Sequence, residues 1–141
     1  MNIVRVKLLD EKAIIPTYAD EGAAGFDFYS ISNLVIPVGG SGIIETGLVV
    51  EIPKGYEIQA RGRSGLAFVN DIVDHFGTID ESYRGEIKIK LWNLGKKPFP
   101  IKQGQRVAQG VLSQVEKAIF LEAFDLSQTV RGAGGIGSTG Q

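Results

Sequence analysis

The amino-acid sequence predicts an all-β fold of the sandwich or barrel type. Short runs alternate between apolar and polar residues, as in Val4–Leu8 and Ile87–Leu91, and this period of two is typical of half-buried strands. Clusters of turn-forming residues separate the runs, and no apolar stripe with helical spacing extends over about ten residues. Many short strands at close spacing favour packed or closed sheets over a helical fold.

The predicted strands follow one another from the N-terminus to the C-terminus. They are Val4–Leu8, Leu34–Ile36, Ile43–Ile44, Leu48–Ile52, Tyr56–Ile58, Ile87–Leu91 and, with less regular alternation, Val107–Val115. Turn signals at Gly39–Gly42, Pro53–Gly55 and Leu94–Pro98 divide them. One helical turn can form near Leu66–Phe68, and no linker splits the chain into two domains.

The amino-acid composition of the chain argues against several classes of function and excludes others. A chain of 141 residues suits one domain, and a net charge of -1 gives no large positive field, so nucleic acid is not an expected partner. The absence of Cys excludes disulfides and thiolate nucleophiles, and the single His75 excludes a His-rich metal site. No apolar run is long enough for a membrane span or a signal peptide. We therefore expect no membrane partner and a cytoplasmic protein, or one inside a host cell if the source is viral.

The C-terminal end differs from the rest of the chain. Residues 131–141 are rich in Gly and have almost no apolar surface to offset the entropy of ordering. The sequence therefore predicts a β domain over residues 1–130 and a mobile arm over 131–141, which could close over an anion with backbone N–H groups and Arg131.

The segment Arg61–Leu66 carries groups that suit a phosphate. Arg63 supplies forked donors that fit phosphate oxygens, Ser64 adds a hydroxyl, and Gly65 lets backbone N–H groups approach an anion. The same residues are also compatible with a polar turn and a solvated Arg. The segment therefore indicates an anion site without establishing one.

Two further segments carry carboxylates. Gly77–Glu86 is predicted to be a Gly-bounded hairpin that presents backbone donors and acceptors to a small planar ligand. In it Asp80 is a candidate general base, with Glu81 and Glu86 as competitors. Asp27 lies between apolar residues and could face a metal-bound water or a neighbouring Arg, although each segment is also compatible with a solvated turn. A phosphate ligand, a carboxylate base and a Gly-rich lid together indicate phosphoanhydride hydrolysis.

In this order and spacing, the segments resemble the five motifs of the trimeric dUTPase family. The matching segments are Ala24–Asp27, Gly62–Ala67, Gly77–Glu86, Gly104–Gln109 and Arg131–Gly140. The resemblance implies a distorted jelly roll of the β-clip type and a homotrimer with active sites shared between chains. It also implies hydrolysis of dUTP to dUMP and pyrophosphate, which limits uracil in DNA and supplies dUMP for dTMP synthesis. Mg²⁺ would be held mainly by the triphosphate and waters.

The resemblance also implies a role for each matching residue. Asp80 would deprotonate the water that attacks the α-phosphorus, and Tyr83 would pack against the deoxyribose. Phosphate oxygens would be held by Arg63, Ser64, Gly65 and Gln109, and the uracil edge by the backbone of Asp74, Gly77, Thr78 and Ile79. In the arm, Arg131, Gly137 and Ser138 would reach the γ-phosphate and Ile136 would cover the base. Asp27 would support the metal indirectly, through water.

Three positions depart from the family pattern. Ile136 replaces the aromatic residue that normally stacks on uracil, so weaker closure of the arm is expected. Asp74 stands where Asn is common, and a backbone contact can survive that change. Gly110 stands where a larger apolar residue is usual, which predicts looser packing there.

Two other functions remain open from the sequence. A dCTP deaminase-like enzyme on the related fold would need a Glu base and a pocket that accepts cytosine. A catalytically weak regulatory homologue that binds nucleotide would keep the scaffold, and Ile136 is the one feature that encourages this alternative.

Overall fold

The computed structural model describes residues 2–136, and short antiparallel strands dominate it. The strands are β1 (Arg5–Leu8), β2 (Phe26–Tyr29), β3 (Leu34–Ile36), β4 (Ser41–Glu45), β5 (Leu48–Glu51), β6 (Tyr56–Arg61), β7 (Ile72–Asp74), β8 (Gly77–Ile79), β9 (Lys88–Asn93), β10 (Phe99–Ile101) and β11 (Arg106–Gln114). The helix α1 (Ser64–Asn70) lies between β6 and β7. The all-β prediction is confirmed, and the predicted helical turn extends to seven residues.

The strands form four sheets, each with antiparallel pairing. Two are larger, with strand orders β2-β11-β6-β8 and β4-β9-β7, and two are pairs, β1-β5 and β3-β10. Every predicted strand coincides with an observed one, whereas β2, β7, β8 and β10 had not been predicted as strands. No helix in the described part of the chain combines the length and apolar character needed to cross a bilayer.

The hairpin predicted over Gly77–Glu86 does not form, because only its first three residues are a strand, β8, and the next strand begins at Lys88. β7 pairs with β9, and β8 pairs with β6, so the chain passes from one sheet to the other between Asp74 and Gly77. Ile72 and Ile79 are both buried, and each packs into the core from its own sheet. Pairing with distant strands therefore prevails over local hairpin formation.

The core lies between the sheets and is built mainly from Ile, Leu, Val and Phe. Its largest fully buried apolar side chains are Phe28, Ile36, Ile44, Leu48, Ile58, Ile72, Leu91, Ile101 and Val107. The expectation of loose packing at Gly110 is wrong, because the rings of Phe26 and Phe28 occupy the space that a Cβ would need. These rings meet edge to face with centroids 5.5 Å apart.

The C-terminal segment leaves the sheets after β11. From residue 116 to residue 133 every side chain is exposed, and no strand or helix forms up to residue 136. The large apolar residues left uncovered are Ile119, Phe120, Leu121, Phe124, Leu126 and Val130. Large apolar patches left exposed are typical of interaction sites in soluble proteins.

Candidate active site

A polar row crosses one face of the β2-β11-β6-β8 sheet. Gln109 on β11 lies opposite Asp27 on β2 and opposite Arg61 on β6. Paired residues in a sheet present their side chains on the same face, so the register aligns a carboxylate, an amide and a guanidinium. The sheet thereby concentrates hydrogen-bonding groups at one position.

A β-bulge in β11 adds Arg106 to this row. Arg106 pairs with Tyr29 and Ala108 with Phe28, so Val107 is an extra residue in the ladder. In a regular strand, Arg106 and Gln109 would point to opposite faces because they are three positions apart. The bulge cancels this difference, and both side chains line the same pocket.

Asp27 joins two of the arginines. Its Oδ1 lies 3.1 Å from Nε of Arg63, and its Oδ2 lies 3.3 Å from Nη1 of Arg106. Both oxygens are therefore engaged, and the residue is buried. A carboxylate held this way fixes the orientation of both guanidinium groups and leaves their remaining N–H donors for a ligand.

The pocket around this row has a volume of about 450 Å³. Besides the polar row it is lined by Ser64 and Gly65 from the first turn of α1, where the backbone N–H groups lack intrahelical acceptors. The space beside the Cα of Gly65 is open to 4 Å, so a ligand can approach the backbone there. The pocket contains Arg61, Arg63 and Arg106 against the single carboxylate of Asp27, which favours an anion.

A second pocket, of about 350 Å³, lies at the other end of the predicted site. Its lining includes His75, Gly77, Thr78, Ile79, Asp80, Tyr83 and Glu86. Most of these residues belong to β8 and the loop that follows it. The backbone of a short edge strand and several titratable side chains thus face one cavity.

The three carboxylates near this pocket differ in their partners. Glu86 accepts a hydrogen bond of 3.0 Å from the Gly47 N–H and lies 3.4 Å from Lys88. Glu81 accepts a hydrogen bond from the Gly55 N–H. Within residues 2–136, the Asp80 carboxylate has neither a hydrogen bond nor an ion pair, and it is exposed. Asp80 is therefore the carboxylate that is free to hold a water molecule.

Tyr83, which lines the same pocket as Asp80, has a fixed orientation. Its hydroxyl donates a hydrogen bond of 3.0 Å to the Glu86 carbonyl, and its ring lies over Gly85 so closely that a Cβ there would collide with it. Tyr83 as a whole remains 45% exposed. It can therefore offer an apolar face to a ligand in the pocket.

Asp74, at the end of β7, has an unusual environment for a carboxylate. Its Oδ2 is buried without a hydrogen-bond partner in the described residues. Burial raises the pKa of the Asp74 carboxyl above its usual value, while hydrogen bonding from the backbone of Asp74 itself and of Gly62 and the charge of His75 act in the opposite direction. An unsatisfied buried oxygen in a folded protein calls for an explanation.

The two pockets have no lining residue in common. Ala60 lines the second pocket, and Arg61, the next residue of β6, lines the first. Adjacent residues of a strand point to opposite faces of the sheet. The cationic residues and the Asp80 loop are thus separated within one chain.

A family model described as dUTPase matches residues 11–140. The chain belongs to the dUTPase family. A deoxyuridine 5'-triphosphate nucleotidohydrolase of Nautilia profundicola is 48% identical to it over 140 residues, covering 98% of this chain and 99% of the relative. The corresponding protein of Wolinella succinogenes is 46% identical, covering 98% and 94%.

Solved dUTPase structures share the fold. The Staphylococcus bacteriophage 80alpha dUTPase with dUPNHPP superimposes with a TM-score of 0.95 at 25% identity, over the full length of both chains. Its G164S mutant with dUpNHpp gives a TM-score of 0.94 at 25% identity, again over both full chains. The jelly-roll-like β fold predicted from the sequence is thereby confirmed.

The motif residues of the dUTPase family divide between the two pockets. The first pocket holds Asp27, Arg63, Ser64, Gly65 and Gln109, and the second holds Gly77, Thr78, Ile79, Asp80 and Tyr83. Arg131 and Ile136 lie in the exposed C-terminal segment, where Nε of Arg131 donates a hydrogen bond of 2.9 Å to the Gly134 carbonyl. Gly137 and Ser138 lie outside the described residues.

The family resemblance assigned no individual role to two cations of this pocket. Arg61 and Arg106 line it beside Arg63, and of the two only Arg61 belonged to a segment, Arg61–Leu66, that was predicted to suit a phosphate. Arg106 stands inside the fourth motif, and Arg61 stands just before the second, so both were available as candidates. Arg61 and Arg106 lie on the same face of the sheet because of the strand register and the bulge in β11. A local sequence pattern reveals neither of these features.

Asp74→Asn is expected to raise the melting temperature near pH 7. A carboxyl whose pKa is raised by folding binds protons more readily in the folded state, so the wild-type enzyme loses stability as pH rises above the ordinary value of 3.8. Asn does not titrate, and the gain should shrink as pH falls toward that value. Thermal unfolding at several pH values checks this, with the exposed Asp71→Asn as control; a gain that does not change with pH would contradict it.

Proposed function

We propose that this protein hydrolyses dUTP to dUMP and pyrophosphate, with Asp80 as the general base. This proposal rests mainly on a contrast among three carboxylates. Glu81 and Glu86 accept hydrogen bonds from backbone N–H groups, whereas Asp80 has no partner in the described chain. A base must be free to hold the water whose proton it accepts. Asp80 would therefore orient that water toward the α-phosphorus.

The first pocket would bind the phosphates. Arg63 and Arg106 are both oriented by Asp27, and Arg61 adds a third guanidinium on the same face. Attack on a polyanion requires donors placed in advance where negative charge develops. We assign Asp27 to orienting these arginines, and its water-mediated support of a metal stays a prediction.

The second pocket would bind the nucleoside. The edge strand β8 offers backbone groups to the uracil ring, and the fixed ring of Tyr83 would contact the deoxyribose. Cytosine would leave such backbone groups mispaired, and each lost hydrogen bond costs about 1–3 kcal/mol. Exclusion of thymine and of ribose would be steric.

A homotrimer would complete the site. Because the two pockets lie apart in one chain, we expect the phosphate pocket of one subunit to face the nucleoside pocket of its neighbour. The uncovered apolar residues between Ile119 and Val130 would pack against another subunit and carry Arg131 and Ile136 to its site. In such a homotrimer, the exposed apolar segment would become buried when the subunits associate.

Mg²⁺ fits this proposal as part of the substrate complex. The described residues contain no group of three or more His, Cys, Asp or Glu side chains that could hold a metal ion, and both oxygens of Asp27 are engaged by arginines. Hard cations such as Mg²⁺ bind readily to phosphate oxygens and retain waters. Bound there, Mg²⁺ would neutralise phosphate charge. The cytoplasmic location stays a prediction.

Ile136→Phe is expected to tighten binding of dUTP by about twofold to thirteenfold. An aromatic ring over the base adds a stacking contact that Ile lacks, worth about 0.5–1.5 kcal/mol. The KM for dUTP and the affinity for a non-hydrolysable dUTP analogue measure the effect. If both stay at their wild-type values, residue 136 does not cover the base.

Pyrophosphate release from dUTP, dTTP, dCTP and UTP tests the proposed reaction. We expect turnover of dUTP alone, with no ammonia from dCTP, and we expect Asp80→Asn to lower the turnover of dUTP by at least about 10²-fold. Ammonia from dCTP would support the deaminase alternative. Binding of a dUTP analogue without any turnover of dUTP would support the regulatory homologue.

A further inference from the structure

The peptide unit at Gly62 is held from two sheets at once. From β11, Nε2 of Gln109 donates a hydrogen bond of 2.9 Å to the Gly62 carbonyl. From β7, Oδ1 of Asp74 lies so close that a Cβ on Gly62 would be 2.6 Å from it, and the Gly62 backbone acts to lower the pKa of this carboxyl. Gly62 is thus fixed between an amide and a carboxylate.

The position of Gly62 gives this contact its importance. It connects Arg61, the last residue of β6, to Arg63, the N-cap of α1, and both arginines line the phosphate pocket. A shift of the Gly62 peptide would change the direction in which both guanidinium groups leave the backbone. Catalytic and binding groups tolerate displacements of only about 0.5 Å.

Asp74 also belongs to the segment that leads to the other pocket. It ends β7, and β8, whose residues line the nucleoside pocket, begins at Gly77. One oxygen of Asp74 touches Gly62, while the other is buried without a partner. A group kept in an unfavourable environment often serves function rather than stability.

We propose that Asp74 is a positioning residue that acts through Gly62 to hold Arg61 and Arg63 in their phosphate-binding orientation. Asp74 thereby links β7, which leads to the nucleoside pocket, to the segment Arg61–Arg63, which lines the phosphate pocket. This inference rests on the proposed function, and it goes beyond the backbone contact with uracil expected for Asp74 because the side chain carries the effect.

The test compares the affinities of the full-length protein for a non-hydrolysable dUTP analogue and for dUMP, both by calorimetry. Asp74→Leu removes the acceptor and keeps the branched shape of the side chain, so affinity for the triphosphate analogue should fall about tenfold while affinity for dUMP changes less than about threefold. Asp74→Asn keeps an oxygen that can face Gly62 and should recover most of the preference for triphosphate. Asp71→Asn, at an exposed carboxylate just before β7, is the charge control.

Gly62→Ala tests the same contact from the other partner, since its Cβ would displace Oδ1 of Asp74. It should reproduce the selective loss of triphosphate affinity. Equal losses for both ligands, or a lowered melting temperature with unchanged affinities, would overturn the inference. Failure of the proposed function is a separate result, because it would appear as absence of dUTP turnover in the wild-type protein.

Discussion

Asp80→Asn is expected to lower the turnover number for dUTP by about 10²–10⁴-fold. Asn keeps the shape of the side chain but cannot accept the proton of the attacking water. The second pocket is otherwise unchanged, because no hydrogen bond or ion pair of the Asp80 carboxylate exists among residues 2–136 to be lost. Single-turnover hydrolysis and calorimetric binding of a non-hydrolysable dUTP analogue separate the chemical step from affinity, and affinity should persist.

Glu81→Gln and Glu86→Gln are the matched comparison variants. Each removes a carboxylate near the same pocket, but these carboxylates accept hydrogen bonds from Gly55 and Gly47. We expect a lower melting temperature and a smaller loss of turnover than for Asp80→Asn. If either Gln variant abolished turnover while Asp80→Asn retained it within about tenfold, the base would have been assigned to the wrong residue.

Arg63→Gln is expected to reduce kcat/KM for dUTP by about 10²–10³-fold. The variant loses forked donors to the phosphates and breaks the 3.1 Å contact between Nε of Arg63 and Asp27. Asp27 is then left with Arg106 alone, so the orientation of the second guanidinium also relaxes. Steady-state kinetics at fixed ionic strength measure the loss.

Arg5→Gln is the matched control for this loss. It removes the same charge from an exposed ion pair with Glu51 on the β1-β5 sheet. Exposed pairs contribute about 0–1 kcal/mol, so its kinetics should resemble the wild type. A comparable decrease in both variants would mean that overall charge, rather than the pocket, governs the rate.

The fold was largely predictable because most strands have a local sequence pattern that identifies them. Runs such as Leu48–Ile52 alternate regularly and end at turn residues, and they became strands as expected. The strands that were missed are short, and β7 and β8 owe their structure to pairing with β9 and β6. Such partners are distant in sequence, so a local pattern cannot assign them.

The residue types that line the two pockets could be predicted, but their arrangement could not. Asp80, Arg63 and Tyr83 were predicted as site residues from the ordered motifs, and each lines a pocket, while their roles stay predictions. The alignment of Arg106 with Gln109 depends on one extra residue in β11, and the closeness of Asp74 to Gly62 depends on how β7 packs beside the end of β6. These features arise from register and tertiary packing, which the sequence does not display directly.

Mixed oligomers of two inactive variants test the central claim that the site is shared between chains. A subunit with Arg63→Gln still supplies Asp80, and a subunit with Asp80→Asn still supplies Arg63. After co-refolding of equal amounts, about a quarter of the sites should combine both intact residues, and dUTP turnover should return to roughly that fraction of the wild type. A mixture no more active than its components would contradict the account, because both residues would then have to act from one chain.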